Sequence, residues 1–112
     1  MELVVMEGPD AGRSFSLTAQ SVIGRDPTAT VNLTDDEVSR RHAIVTLGEG
    51  QITIEDLGSF NGTHMDAGEI TGETPLQIGD RVRVGQSVLE LRELQGEDPE
   101  DMKPTKTSLP RP

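Results

Sequence analysis

Three short polar segments of this sequence contain side chains suited to holding a phosphate group. The residues concerned are Arg25 in the first segment, Ser39 and Arg40 in the second, and Ser59 and Asn61 in the third. Guanidinium groups donate forked hydrogen bonds, a hydroxyl rotates to suit its partner, and an amide both donates and accepts. Charge-assisted bonds from arginine to phosphate are also about twice as strong as neutral ones. The three segments therefore predict a site for a phosphate and the peptide backbone beside it.

Ser39 and His42 also permit a catalytic interpretation, in which a phosphate-ester hydrolase uses the serine as nucleophile and the histidine as base. No Gly-x-Ser-x-Gly elbow surrounds Ser39, and no paired-carboxylate metal motif accompanies it. His64 belongs to no motif, and we expect it to be an ordinary strand residue. We therefore expect a protein that is not an enzyme and that uses no metal and no cofactor.

The composition limits the alternatives. The 112 residues include two histidines and no cysteine, which excludes disulfides, cysteine-type zinc sites and thiol catalysis. A formal net charge of −10 disfavours nucleic-acid binding, which needs a basic face. No apolar run approaches the ~20 residues of a membrane span. We expect a soluble cytoplasmic protein, without nucleic-acid or membrane partners, and a monomer.

The elements that must position the polar segments have the pattern of short strands. Residues 42–47 and 51–55 alternate with period two around a glycine-rich turn, and residues 81–84 and 88–92 do the same. Many short strands without helical periodicity predict an all-β sandwich. The rarity of aromatic residues leaves Phe15 as the expected large anchor of the core. One alternative remains at Thr34 and Glu37, whose spacing permits a single helical turn with a capping box.

The three polar segments resemble the signature of the forkhead-associated (FHA) domain. Gly24-Arg25 is similar to the G-R motif of that family, Ser39 to His42 to its S-x-x-H motif, and Asn61-Gly62-Thr63 to its N-G-T motif. The resemblance covers nearly the whole chain and implies an FHA-like β-sandwich of about eleven strands in two sheets. Phe60 departs from the family, which often has Thr or Ser immediately before the asparagine.

The resemblance also implies a role for each residue of the motifs. Arg25 and Ser39 would bind the phosphate, Arg40 would add donors, and Asn61 and Ser59 would contact the peptide. The expected structural supports of the site are Gly24, His42 and Gly62. The implied function is a phosphothreonine-dependent protein–protein interaction module in kinase signalling, with a Ser/Thr kinase or its substrate as partner.

Two further expectations concern the whole chain. We expect residues 1–95 to form the FHA-like phosphopeptide-binding domain and residues 96–112 to be a disordered acidic and proline-rich tail or linker, because the apolar pattern stops there. An alternative function is an FHA-like domain that binds its main partner independently of phosphate. In that alternative, its own tail could occupy the site.

Overall fold

The computed structural model describes residues 1–93, which form eleven β-strands. In chain order they are β1 (Glu2–Glu7), β2 (Ser14–Ser16), β3 (Gln20–Gly24), β4 (Val31–Asn32), β5 (Ala43–Gly48), β6 (Gln51–Asp56), β7 (Thr63–Met65), β8 (Gly68–Glu69), β9 (Thr74–Leu76), β10 (Arg81–Val84) and β11 (Ser87–Arg92). The predicted all-β fold is therefore confirmed. The predicted tail lies outside the described residues, and the domain boundary at residue 95 stays a prediction.

The strands form two sheets. One has six strands in the order β2-β1-β11-β10-β7-β8, and the other has five in the order β4-β3-β5-β6-β9. Neighbouring strands are antiparallel except for β3 and β4, which are parallel. Within residues 1–93, no helix is long and apolar enough to cross a membrane.

One apolar core lies between the sheets and consists mainly of aliphatic side chains. Leu3 and Leu89 from the six-stranded sheet, and Ile54 from the five-stranded sheet, are each fully buried. The expectation that Phe15 anchors this core is wrong. Phe15 is only partly buried because β2 is an edge strand, and its ring packs against the side of the core while the Arg13 guanidinium lies 4.8 Å from the ring centroid.

The strand register brings four connections to one end of the sandwich. β3 ends where β5 begins, because Ile23 pairs with Ala43. β6 ends at the same level, because Ala43 also pairs with Asp56. In the other sheet, Val84 at the end of β10 pairs with Thr63 at the start of β7. We call this end the loop end; it comprises the β3–β4 loop (25–30), the β4–β5 loop (33–42), the β6–β7 loop (57–62) and the β10–β11 turn (85–86).

The β4–β5 loop contains a turn where the capping-box alternative placed a helical turn. The Thr34 hydroxyl donates to the Asp10 carboxylate (3.0 Å). Asp35 Oδ1 accepts the Glu37 N–H (2.9 Å), and the Asp35 carbonyl accepts the Val38 N–H (3.0 Å). An Asp side chain that bonds the main chain two residues later forms an Asx turn, which competes with helix formation. The helical alternative is therefore wrong, and the polar loop is confirmed.

Candidate functional site

Gly24 lets the main chains of two loops touch. A Cβ atom at this position would lie 1.9 Å from the Arg40 carbonyl oxygen and 3.1 Å from that of Ser39. Two hydrogen bonds close this contact, from Arg25 N–H to the Ser39 carbonyl (3.1 Å) and from Asp26 N–H to the Arg40 carbonyl (3.2 Å). The absence of a side chain at Gly24 thus sets the spacing between the two loops that carry the predicted phosphate ligands.

Arg25 is exposed at the first position after β3. Its Nε–H donates to the Val38 carbonyl (2.5 Å), which orients the plane of the guanidinium group. The terminal nitrogens form no hydrogen bond with the part of the chain that the structure describes, and Arg25 forms no salt bridge there with Asp26 or Asp56. The forked end of Arg25 is therefore available to an anion from outside the chain.

Ser39 joins the β4–β5 loop to the β6–β7 loop. Its half-buried hydroxyl oxygen accepts the main-chain N–H of Phe60 at 3.0 Å. A hydroxyl has one donor and two acceptor lone pairs. Accepting from Phe60 therefore leaves the hydroxyl hydrogen free to donate to a ligand oxygen.

Arg40 and Arg41 are both exposed beside Ser39. Arg40 Nη2 lies 3.4 Å from Asp26 Oδ2. The Thr28 N–H and hydroxyl, followed by Arg40, hold the pKa of Asp26 below its usual value despite partial desolvation. A long, exposed ion pair of this kind contributes little to stability, because water screens it. Arg40 can therefore leave Asp26 and turn to a ligand at little cost.

Asn61 forms a second connection between the same two loops. Its Nδ2 donates to the carbonyl of Glu37 at 2.8 Å, and the side chain is exposed. A primary amide has a second donor hydrogen and an acceptor oxygen. Asn61 can thus hold the loop and still hydrogen-bond the main chain of a peptide.

His42 is fully buried beneath these loops. Its Nδ1 accepts the Ser39 N–H (3.1 Å), so the ring hydrogen belongs on Nε2, which donates to the Gly62 carbonyl (2.8 Å). Both ring nitrogens are therefore bonded to main chain, and neither contacts the Ser39 hydroxyl. This geometry supports the predicted bracing role of His42 and gives the hydrolase hypothesis no base for Ser39.

A single carboxylate, that of Asp56, organises the β6–β7 loop. It accepts the hydroxyls of Ser59 (2.5 Å) and Thr63 (2.7 Å) and the N–H groups of Gly58 and Ser59 (2.9 Å each). Burial raises the pKa of Asp56, but these hydrogen bonds outweigh burial and hold the pKa below its usual value. The Ser59 hydroxyl also accepts the Gly62 N–H (2.9 Å). Ser59 thus serves the loop itself, and its contact with a peptide stays a prediction.

Asp35 is a supporting residue that the sequence interpretation missed. It belongs to a run of three acidic residues, Asp35 to Glu37, but its side chain is almost fully buried. Besides the Glu37 N–H, its carboxylate accepts the Gln86 N–H (2.7 Å) and the Ser87 hydroxyl (2.8 Å). These bonds tie the β4–β5 loop to the β10–β11 turn. The local sequence permits an Asx turn at Asp35, because Asp commonly forms such turns in loops, but it does not indicate that the side chain is buried.

The loop end presents polar side chains beside the exposed apolar Leu57 and Phe60, and a shallow depression lies away from it. A shallow cavity of about 710 Å³ adjoins the β5–β6 turn, at the opposite end of the sandwich, and is lined in part by Leu47, Ile52 and Ile78. Among residues 1–93, no group of three or more histidines and carboxylates could hold a metal. The residues brought together at the loop end are therefore suited to surface recognition of a charged group.

Comparison with known proteins identifies a matching family model and several sequence relatives. Residues 4–95 match the family model described as "Inner membrane component of T3SS, cytoplasmic domain". The chain is 45% identical over 92 residues to the FHA domain-containing protein FhaB of Mycolicibacterium smegmatis, which covers 81% of this chain and 59% of FhaB. It is 40% identical over 85 residues to the glycogen accumulation regulator GarA of the same organism, covering 75% of this chain and 53% of GarA. The chain thus spans little more than half the length of these relatives.

A solved structure agrees with the sequence relatives. The fold superposes with a TM-score of 0.74 and 32% identity on a chain from a structural and functional study of phosphothreonine-dependent FHA domain interactions. The matched region covers 83% of this chain and 95% of that one. The resemblance first seen in three short motifs therefore extends over the whole sandwich, and the chain belongs to the forkhead-associated domain family.

Proposed function

We propose that this chain is a binding module that recognises phosphothreonine in partner proteins of Ser/Thr kinase signalling. The observation that carries the proposal is the joining of Arg25 and Ser39 by a main-chain hydrogen bond of 3.1 Å, with a guanidinium fork and a hydroxyl hydrogen both left for a ligand. The study of phosphothreonine-dependent FHA domain interactions, from which the related structure comes, supports the same function.

The proposed mechanism of recognition needs no large rearrangement. The phosphate accepts from Arg25 and Ser39, and Arg40 moves from Asp26 to add a third donor. Asn61 bonds the peptide main chain beside the phosphothreonine. Because the main-chain bonds between the loops already fix the spacing of these groups, little entropy is lost in ordering the site on binding.

The same groups account for a preference among ligands. A phosphate carries about −1.5 to −2 charges and three acceptor oxygens at neutral pH. A Glu side chain has one charge and two coplanar oxygens, so donors that approach from different directions cannot all be satisfied by it. We further propose that phosphothreonine binds more tightly than phosphoserine, because burying its methyl group contributes roughly 0.8 kcal/mol.

Calorimetric titration tests this function. The probes are a phosphothreonine peptide selected from a degenerate library and its unphosphorylated, phosphoserine and Glu counterparts. We expect Arg25→Ala to lose about 2–4 kcal/mol of binding free energy, the cost of truncating one partner of a hydrogen-bonded charge pair. Arg83→Ala is the matched control, since it removes the same charge from an exposed position on β10.

The outcomes separate the competing hypotheses. Unchanged affinity in a folded Arg25→Ala protein would rule out the assigned phosphate site. Equal affinity for the phosphorylated and unphosphorylated peptides would favour the phosphate-independent alternative. The non-catalytic role is also part of this proposal, because both nitrogens of His42 are occupied by main chain. The cytoplasmic location predicted from the sequence is part of the proposal as well.

A further inference from the structure

The apolar core is open to solvent at the end of the sandwich opposite the proposed phosphothreonine site. The shallow cavity of about 710 Å³ lies there, beside the β5–β6 turn. Both sheets contribute to it, since its lining includes Met1, which precedes β1, and Leu76 of β9. Met1, Leu47 and Ile52 pack against the core and are only partly buried. Among the described residues that line the cavity, none has a charged side chain.

Ile78 extends this apolar surface towards solvent. Its side chain lines the cavity and is 55% exposed. Single exposed apolar residues are common on protein surfaces, so the exposure of Ile78 alone assigns no role. Exposed apolar patches that polar residues surround commonly mark binding sites. We call the cavity together with Ile78 the apolar groove, and the question is which segment covers it.

The last described strand ends beside this groove. At the end of β11, Arg92 pairs with Glu2, which directly follows Met1. One position earlier, the main-chain carbonyl of the same strand accepts the N–H of Gly79 (2.8 Å), the residue after Ile78. The chain therefore leaves the sandwich next to two residues of the apolar groove, and the residues that follow have only a short distance to cover to reach it.

The side chains of residues 102–112 suit the groove, although this segment lies outside the described residues. Met102 and Leu109 are apolar, and no side chain of the segment is acidic. Its cations are Lys103, Lys106 and Arg111. Each of its three prolines has a fixed φ angle, which reduces the conformational entropy lost on docking. The segment thus combines apolar side chains with positive charge.

The surroundings of the groove have the opposite charge. Glu49 is exposed in the β5–β6 turn, between two glycines that line the cavity, and Asp80 follows Ile78 by two positions. Arg81 and Arg92 are both bonded to Glu90 (3.0 Å each). Charges within about 8 Å of each other interact at physiological salt. The acidic rim therefore favours a cationic segment over an acidic one.

We propose that residues 102–112 of this chain dock in the apolar groove, with Leu109 beside Ile78 and the cations at the acidic rim. The inference goes beyond the proposed function and does not depend on it. The fifteen residues 94–108 can extend to about 50 Å, at 3.3–3.6 Å per residue, which is ample for a groove that begins beside residue 93. The covalent link gives an effective concentration of the order of millimolar, so a contact of modest affinity is populated.

Docking there has a consequence for the phosphothreonine site. The groove and the loop end lie at opposite ends of the sandwich, because β5 and β6 run between them. A docked segment is therefore held away from Arg25 and Ser39. The proposed phosphothreonine site then stays open to partner proteins instead of being occupied by the chain itself.

The test uses the full chain carrying a nitroxide label at Ser108→Cys. The sequence has no cysteine, so the label attaches at one position. Amide signals are recorded with the nitroxide oxidised and then reduced, because the oxidised form broadens the signals of nearby amides. We expect a loss of signal at residues 48–52 and 76–79 of the groove, and none at residues 24–26 and 39–41 of the loop end.

Substitutions test the contact from both sides. Leu109→Ser alters the segment, and Ile78→Ser alters the groove at a residue that is more than half exposed, so the fold should be kept. We expect each to lower the docking equilibrium constant about tenfold, the scale of withdrawing an aliphatic side chain from a partly buried contact. Leu57→Ser is the matched control, because it removes an exposed apolar side chain at the loop end and should leave the broadening unchanged. Lys103→Gln combined with Lys106→Gln should reduce the broadening.

Four results would overturn the inference. The first is an absence of broadening at the groove. Broadening at residues 24–26 and 39–41 would place the segment in the phosphothreonine site instead. Broadening at the groove that persists in both Leu109→Ser and Ile78→Ser would show that the label makes the contact. Equal broadening in a mixture of isotope-enriched chain without nitroxide and nitroxide-labelled chain without enrichment would assign the contact to a second copy.

Discussion

Gly24→Ala places a methyl group where the structure has no room for one. The new Cβ would lie 1.9 Å from the Arg40 carbonyl oxygen. Carbon and carbonyl oxygen ordinarily approach to about 3.3 Å, so the end of β3 and the β4–β5 loop must separate by roughly 1.4 Å. The obstructing atoms are main-chain atoms and cannot rotate away. The separation would weaken the bonds from Arg25 N–H to Ser39 and from Asp26 N–H to Arg40.

These contacts set the expected loss in the free energy of unfolding and in peptide affinity. Overpacking of this kind costs about 1–3 kcal/mol, and each weakened hydrogen bond adds about 0.5–1.5 kcal/mol. We therefore expect Gly24→Ala to lower the free energy of unfolding by about 2–6 kcal/mol. Phosphopeptide affinity should fall at least about tenfold, equivalent to 1.4 kcal/mol, because Arg25 and Ser39 no longer keep their spacing.

The assay combines urea unfolding with peptide titration, and the affinity is corrected for the folded fraction. The matched control is Gly50→Ala in the β5–β6 turn, where φ is +70° and a Cβ would meet no atom within 4 Å. That variant should lose about 1–2 kcal/mol through backbone strain and keep its affinity. If Gly24→Ala bound peptide as well as Gly50→Ala does, the close approach of the two loops would not be what positions the site.

Two further predictions concern the residues that brace the loops. His42→Ala leaves the Ser39 N–H and the Gly62 carbonyl without partners. The free energy of unfolding should therefore fall by about 2–5 kcal/mol, and peptide affinity should fall only as a consequence. Abolished binding with wild-type thermal melting would contradict a bracing role for His42. Asp56→Asn should cost about 1–3 kcal/mol at neutral pH. Because the pKa of folded Asp56 lies below the ordinary value of 3.8, its stabilisation is present above 3.8 and is lost as the pH falls through the folded pKa. The stability difference between wild type and Asp56→Asn, followed by unfolding at a series of pH values, should therefore shrink in acid, and a constant difference would contradict this account.

The strands and the loop end could be predicted because their signals are local. Period-two alternation over residues 51–55 located β6, which the structure gives as Gln51–Asp56. The three motifs fall at the ends of predicted strands, and antiparallel pairing brings strand ends together. Ser39 and Asn61 could thus be placed at one end of a hairpin before any contact was known, and the family resemblance assigned Gly24 and Arg25 to the same site.

The burial of Asp35 could not be predicted because two of its partners, Gln86 and Ser87, are distant in sequence. Asp35 and Ser87 are separated by 52 residues, and nothing near Asp35 indicates burial in a run of three acidic residues. Phe15 was misplaced for a related reason, since hydrophobicity alone does not show that β2 lies at the edge of its sheet. Such features depend on which strands become neighbours, which local patterns leave undetermined.

A map of amide chemical shifts, recorded during titration with a phosphothreonine peptide and with the same peptide unphosphorylated, tests whether the loop end binds phosphothreonine. We expect phosphate-dependent shifts at the loop end, at residues 24–26, 39–41 and 60–62, and none at the β5–β6 turn around Gly50. Shifts around Gly50, or shifts of equal size with both peptides, would contradict phosphothreonine recognition by this site.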